Sequence, residues 1–103
     1  MGRTSDTPRV RLAELAHAIR KRAGLTQKAV ADKTDTGVGA VCNRETGIRG
    51  FSRESLDAYL VGVGARTQDQ IDAWELFFLE AGHSDAEALA MAKAKVESSE
   101  VAA

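Results

Sequence analysis

An all-α fold follows from three features of this chain. Apolar residues recur at helical rather than alternating spacing, as Leu12, Leu15, Ala16 and Ile19 do. Strand signals are absent, and the one proline, Pro8, stands near the start, where it interrupts nothing. Stops and starts also fall at short intervals: Gly24, Gly47, Gly62 and Gly64 can end helices, while Thr26, Ser52, Thr67 and Ser84 can open them.

Taken in order, residues 1–8 read as a flexible arm. A first helix spans 9–23, with Arg and Lys between its apolar positions, and Gly24 ends it. Thr26 caps a second helix that runs to 33, with Val30 inward and Lys28 and Asp32 toward water. Asp35 occupies the turn, because Asp tolerates the left-handed conformation a tight turn needs. A third helix covers 37–45, and a loop with Gly47 and Gly50 follows. Ser52 caps a fourth helix over 53–62, whose apolar face carries Leu56, Tyr59, Leu60 and Val63. Thr67-x-x-Gln70 has the capping-box pattern and opens a fifth helix over 68–81. Ser84-x-x-Glu87 repeats the pattern and opens an Ala-rich sixth helix over 85–96. The expected organisation is a 9–64 domain, a 65–97 helical extension packing on it, and a disordered tail over 98–103.

The chain of 103 residues fits one domain. No apolar run approaches the roughly 20 residues that span a bilayer. Met1 to Pro8 is polar and lacks the apolar core of a secretion signal, so the cytoplasm is the expected location, with no membrane partner. A single cysteine, Cys42, excludes an internal disulfide. As a lone thiol next to Val41 it reads as a small buried hydrophobe rather than a redox sensor. His17 and His83 are far apart and have no cluster at ligand spacing, so neither a metal nor a cofactor is implied. No P-loop, HExxH or nucleophile–base set is present, and no enzyme is expected.

The net charge of −1 conceals a segregation. Residues 1–53 carry eleven Lys/Arg against five Asp/Glu, a balance of +6, while residues 54–103 carry three against ten, a balance of −7. Charged side chains that merely solvate helices explain the charge but not its separation. A basic half points to an anionic partner.

The second and third helices, joined by a short turn, form a helix-turn-helix pattern, the usual way a small protein offers one helix to a DNA groove. Here the chain resembles a known family, the phage repressor/Cro-type domains (the XRE family). The likeness covers about residues 12 to 64. It rests on Ile19-Arg20, Ala23-Gly24-Leu25-Thr26-Gln27, Val30-Ala31, Val41, Glu45-x-Gly47 and Leu56 through Leu60-Val61-Gly62-Val63. It implies a lambda-repressor-like bundle of about five helices, to which the Ala-rich helix is added. It implies double-stranded DNA as partner and transcriptional regulation, as a repressor, as function. It also implies that Arg20 and Glu45 form a structural ion pair tying the first helix to the end of the third.

In that family the first residues of the third helix meet the bases, which maps onto Gly37, Val38, Gly39 and Ala40, then Asn43 one turn later. Bidentate base reading needs Arg, Gln or Asn, and here only Asn43 qualifies, with Arg44 beside it. Val38 and Ala40 can touch a thymine methyl, and the glycines admit a close backbone approach. The phosphate-facing set is fuller: Thr26 and Gln27 at the start of the second helix, Lys28 on its exposed side, and Arg44, Arg49 and Arg53 flanking the loop after the third helix. Phe51 stands where the family often has proline.

The fifth helix holds most of the aromatic residues. Ile71, Trp74, Phe77, Phe78 and Ala81 form a broad apolar stripe, whose ordinary use is to complete the core over the first and fourth helices. Because the large apolar side chains point several ways, Trp74, Phe77 and Phe78 are also the expected homodimer contacts. The acidic residues here, Asp69, Asp72, Glu75, Glu80, Asp85 and Glu87, keep this end away from phosphates. The alternative reading is a protein-interaction module on the same fold, antitoxin-like or an adaptor. It draws on the thin base-reading inventory and the aromatic fifth helix.

Overall fold

The structure is a computed structural model and describes residues 7–102, with side chains through Ser98. Those residues form six α-helices and no strand: α1 Pro8–Arg22, α2 Gln27–Lys33, α3 Val38–Thr46, α4 Arg53–Gly62, α5 Thr67–Glu80 and α6 Asp85–Ala102. No helix among them is long and apolar enough to cross a membrane.

Local chemistry sets most of the boundaries. The Thr7 hydroxyl accepts the Val10 N–H at 3.3 Å, and Pro8 takes the first helical position, where its missing N–H costs nothing. The expected arm over 1–8 is therefore shorter, since Thr7 and Pro8 belong to the start of α1; residues 1–6 lie outside the described residues. Thr26 caps α2 by accepting the Ala29 N–H at 3.0 Å. Asp35 adopts φ +55° in the turn to α3, the left-handed conformation its side chain tolerates. Gly47 ends α3 at φ +82°. Ser52 and Ser55 exchange backbone and side-chain hydrogen bonds in a capping box at α4. Ser84 and Glu87 do the same at α6.

The start of α5 and the end of α6 also differ from the sequence reading. The cap of α5 is Arg66, which lends no side-chain hydrogen bond, so Thr67 is the first helical residue and not the cap. Gln70 instead turns its amide to the Ala65 carbonyl at 2.8 Å. The last helix also continues to Ala102, so the tail expected over 98–103 is helical as far as it is described. Ala, Lys, Glu and Met keep the propensity of this run high and nothing in it breaks a helix.

α1 lies between two groups of helices. α3 packs on one flank and carries α2, α5 packs on the other, and α6 packs on α5. Leu12, Val30, Val41, Leu56 and Trp74 are the large side chains most completely enclosed. Ala88, Ala92 and Val96 are buried at spacings of four, so the sixth helix presents a small-residue ridge to its neighbour. That ridge covers the aromatic residues of α5. Trp74 and Phe78 are 2% and 3% exposed, and Phe77 stacks edge-on to Trp74 at 5.2 Å. Trp74 and Phe78 thus belong to the core, and Phe77 is partly buried against it. Their stripe packs against α1 and α6 and belongs to the same core cluster as Leu56 and Leu60 of α4 and its capping residue Val63. Periodicity identifies an apolar face but not the element that covers it.

Trp74→Ala should cost about 3–5 kcal/mol, the usual penalty for emptying an enclosed aromatic site. Leu89→Ala, on the exposed side of α6, should stay within about 0.5 kcal/mol. Urea denaturation followed by circular dichroism measures both, and equal losses would contradict this placement of the aromatic residues.

Candidate nucleic-acid interface

The candidate interface is organised around a carboxylate that faces inward. Glu45, at the end of α3, has a side chain only 1% exposed. Arg20 meets it with two parallel bonds, Nε to Oε2 at 2.7 Å and Nη2 to Oε1 at 2.9 Å. The third guanidinium nitrogen donates to the Leu25 carbonyl at 2.8 Å, fixing the link between α1 and α2. The ion pair implied by the family resemblance is present. Tyr59 Oη of α4 lies 2.6 Å from Glu45 Oε2 and 2.9 Å from the Ala16 carbonyl, and its one proton can serve only one acceptor at a time. Gln27 Nε2 donates to Oε1 at 3.1 Å, and His17 Nδ1 approaches the same oxygen at 3.2 Å.

These contacts shift protonation. Burial pushes the Glu45 carboxyl up, but the hydrogen bonds from Arg20, Tyr59 and Gln27, with the Arg20 charge, outweigh it and hold the group below its ordinary value. The Glu45 bond raises the Arg20 guanidinium further against the opposing effect of burial. Burial, then the bond to Glu45, pushes the Tyr59 phenol far above its usual range.

The sequence-predicted residues divide into three groups. The first faces outward from α3. Val41 and Glu45 define the buried side, and at about 100° per residue the opposite side carries Gly39, Asn43 and Thr46. Val38, in the first turn, is 43% exposed. A side chain at Gly37 or Gly39 would meet nothing within 4 Å, and neither residue has positive φ. The chain's own packing therefore does not require these glycines, which leave open space on the outward face. The Asn43 side chain makes no hydrogen bond among the described residues, whereas its carbonyl accepts the Arg49 N–H at 3.1 Å.

The second group is exposed and carries charge or caps a helix. Thr26 has committed its hydroxyl to capping α2. Lys28 lies 3.4 Å from Asp32, but both are largely exposed, so the pairing is weak. Arg49 is exposed in the loop beyond α3.

The third group departs from the expected interface. Gln27 is drawn to Glu45. Arg44 is half-buried and turns into a cleft of about 350 Å³ between α3, the α2–α3 turn and the start of α4, where its Nε has no partner. Arg53 is exposed but leans over α5, with its guanidinium carbon 5.5 Å from the Phe78 ring centre.

Several cations of the basic half are matched by carboxylates of the acidic half. Arg9 bonds Glu80 at 2.8 Å, and Arg22 bonds Asp69, which Arg66 also approaches at 3.5 Å. The sequence reading missed these pairs because their partners stand 71 and 47 residues apart. Among the described residues no group of three or more His, Cys, Asp or Glu side chains could hold a metal. In comparisons with known proteins, no family model matches the chain, and no curated protein or solved structure matches it.

Glu45→Gln strands the Arg20 charge and should cost about 3–5 kcal/mol at neutral pH. The pH dependence has a definite sign. A carboxyl held low in the folded state stabilises fully above its ordinary value of 4.5, and that contribution fades as pH falls through the lower folded value. The gap between wild type and Glu45→Gln in urea denaturation should therefore narrow as pH falls from about 4.5 through the lower folded value. A gap that does not change with pH would refute the assignment.

Proposed function

We propose that this chain binds double-stranded DNA sequence-specifically and acts as a transcriptional repressor of the phage repressor/Cro type. In this reading α2 and α3 form the helix-turn-helix, and α3 enters the major groove. The carrying observation is the outward face of α3. Gly39 is exposed there, the half-buried Asn43 side chain makes no hydrogen bond among the described residues, Val38 is exposed in the first turn, and an open approach is left over the two glycines. A helix of nine residues with glycine in its first turn gives up about 1 kcal/mol of propensity. Close contact with another surface is a use that offsets that loss.

Lys28 and Arg49 supply the phosphate contacts, and Asn43 is the one side chain equipped to read a base edge in two directions. Specificity then rests on Asn43, on apolar contact from Val38, and on DNA shape. A second reading, a protein-interaction module on the same fold, is favoured by one observation: Gln27 and Arg44 are both turned inward.

Titration of labelled duplexes selected from a random pool, at about 50 and 200 mM salt, separates the two. Binding should weaken steeply between these salts. Lys28→Glu and Arg49→Glu should each lower affinity about tenfold on all sequences and flatten the salt slope by about one unit. Asn43→Ala should cost about 1–3 kcal/mol on the selected site alone. No binding at low salt, together with capture of a stoichiometric protein partner, would transfer the assignment to the second reading.

A further inference from the structure

The loop that follows α3 carries a feature the DNA reading does not use. Ile48 is 73% exposed, among the most exposed large apolar side chains described, and Arg49 stands next to it. The loop is held in place: Gly47 turns at φ +82°, and Arg49 donates its N–H to Asn43. An apolar tip with an adjacent cation is thereby presented on a fixed support.

A groove of complementary character runs between α1 and α5. Its volume is about 580 Å³. Leu15, Leu76 and Leu79 supply the apolar lining. Glu14, Asp72, Glu75 and Asp85 supply negative charge, against the single positive charge of Arg11. Asp72 accepts the Gln68 amide at 2.9 Å, whereas Glu75 and Asp85 have no ion-pair partner among the described residues. A groove lined by leucines and an excess of carboxylates suits an aliphatic side chain followed by a cation.

The two features cannot meet within one molecule. Gly47 backs onto Val10 and Ala13, on the flank of α1 that faces α3. Leu15 lies about 140° around the helix from Val10. α1 itself stands between the tip and the groove.

We propose that this chain associates with a second copy of itself by inserting Ile48 into the leucine-lined groove, with Arg49 reaching the carboxylates of Glu75 and Asp85. The contact is heterologous, since tip and groove are different surfaces. It also gives the opposed charges of the two halves of the chain a use between molecules. The area is small, so the association is weak and salt-sensitive.

The test is sedimentation of the full chain without nucleic acid, so its outcome is independent of the DNA reading. Wild type should gain mass between roughly 0.01 and 1 mM, a range suited to a small contact. The gain should diminish several-fold between about 0.05 and 0.5 M salt. Ile48→Ser, lacking the tip, and Glu75→Arg, lacking the groove, should each remain monomeric. An equimolar mixture of the two should associate again, because one variant keeps the tip and the other the groove. Circular dichroism melts establish that each variant is folded, and Asp85→Lys serves as a second groove variant if Glu75→Arg is not. A wild type that stays monomeric, variants that associate as wild type does, or a mixture that fails to associate would each overturn the proposal.

Discussion

The arrangement of the first four helices depends on one buried carboxylate. Glu45 sits at the end of α3, where the helix dipole disfavours negative charge and where water is excluded. Such a group persists only if its lone pairs are filled. The residues that fill them come from elsewhere: Arg20 from α1, Gln27 from α2 and Tyr59 from α4. A buried ion pair adds little net stability over well-packed apolar side chains. Its effect is orientation. With its acceptors matched, the direction of α3 relative to α1 and α2 is fixed, because any rotation that moves Glu45 away strands a charge.

That constraint also shapes the outer surface. Gln27, which stands at the positive end of a helix where it could meet an anion, is turned toward Glu45 instead. The outward side of α3 is left with glycines, a valine and one asparagine. Such a surface is better suited to close approach than to dense hydrogen bonding. Under the proposed DNA reading, recognition through it would rely on the shape of what lies against it and on cations at its edge.

The sequence revealed what local chemistry determines. The caps at Thr26, Ser52 and Ser84, the left-handed Asp35 and the stop at Gly47 each depend on residues within a turn of one another, so all were legible. The Arg20–Glu45 pair is long-range, yet the family resemblance carried it. What escaped depends on which helix lies against which. Trp74 and Phe78 were legible as an apolar face, but their cover by Ala88, Ala92 and Val96 was not, because alanines give little signal of their own. Arg44 and Arg53 were read by proximity to the loop. Half-burial turns one toward a cleft, and the aromatic face of α5 draws the other away from it.

The charge segregation is changed by folding in a way that composition could not reveal. Arg9 and Arg22 meet Glu80 and Asp69 across the interface between α1 and α5, so part of the opposition becomes internal attraction between the two halves. The cations left at the surface, Lys28 and Arg49 among them, stand near the start of α2 and beyond the end of α3. Unmatched carboxylates, Glu75 and Asp85, stand beside the α1–α5 groove. A molecule with charge arranged this way has a field direction despite a net charge near zero. Under the proposed DNA reading, that field would turn an approaching polyanion toward the end that carries the outward face of α3 before any specific contact forms.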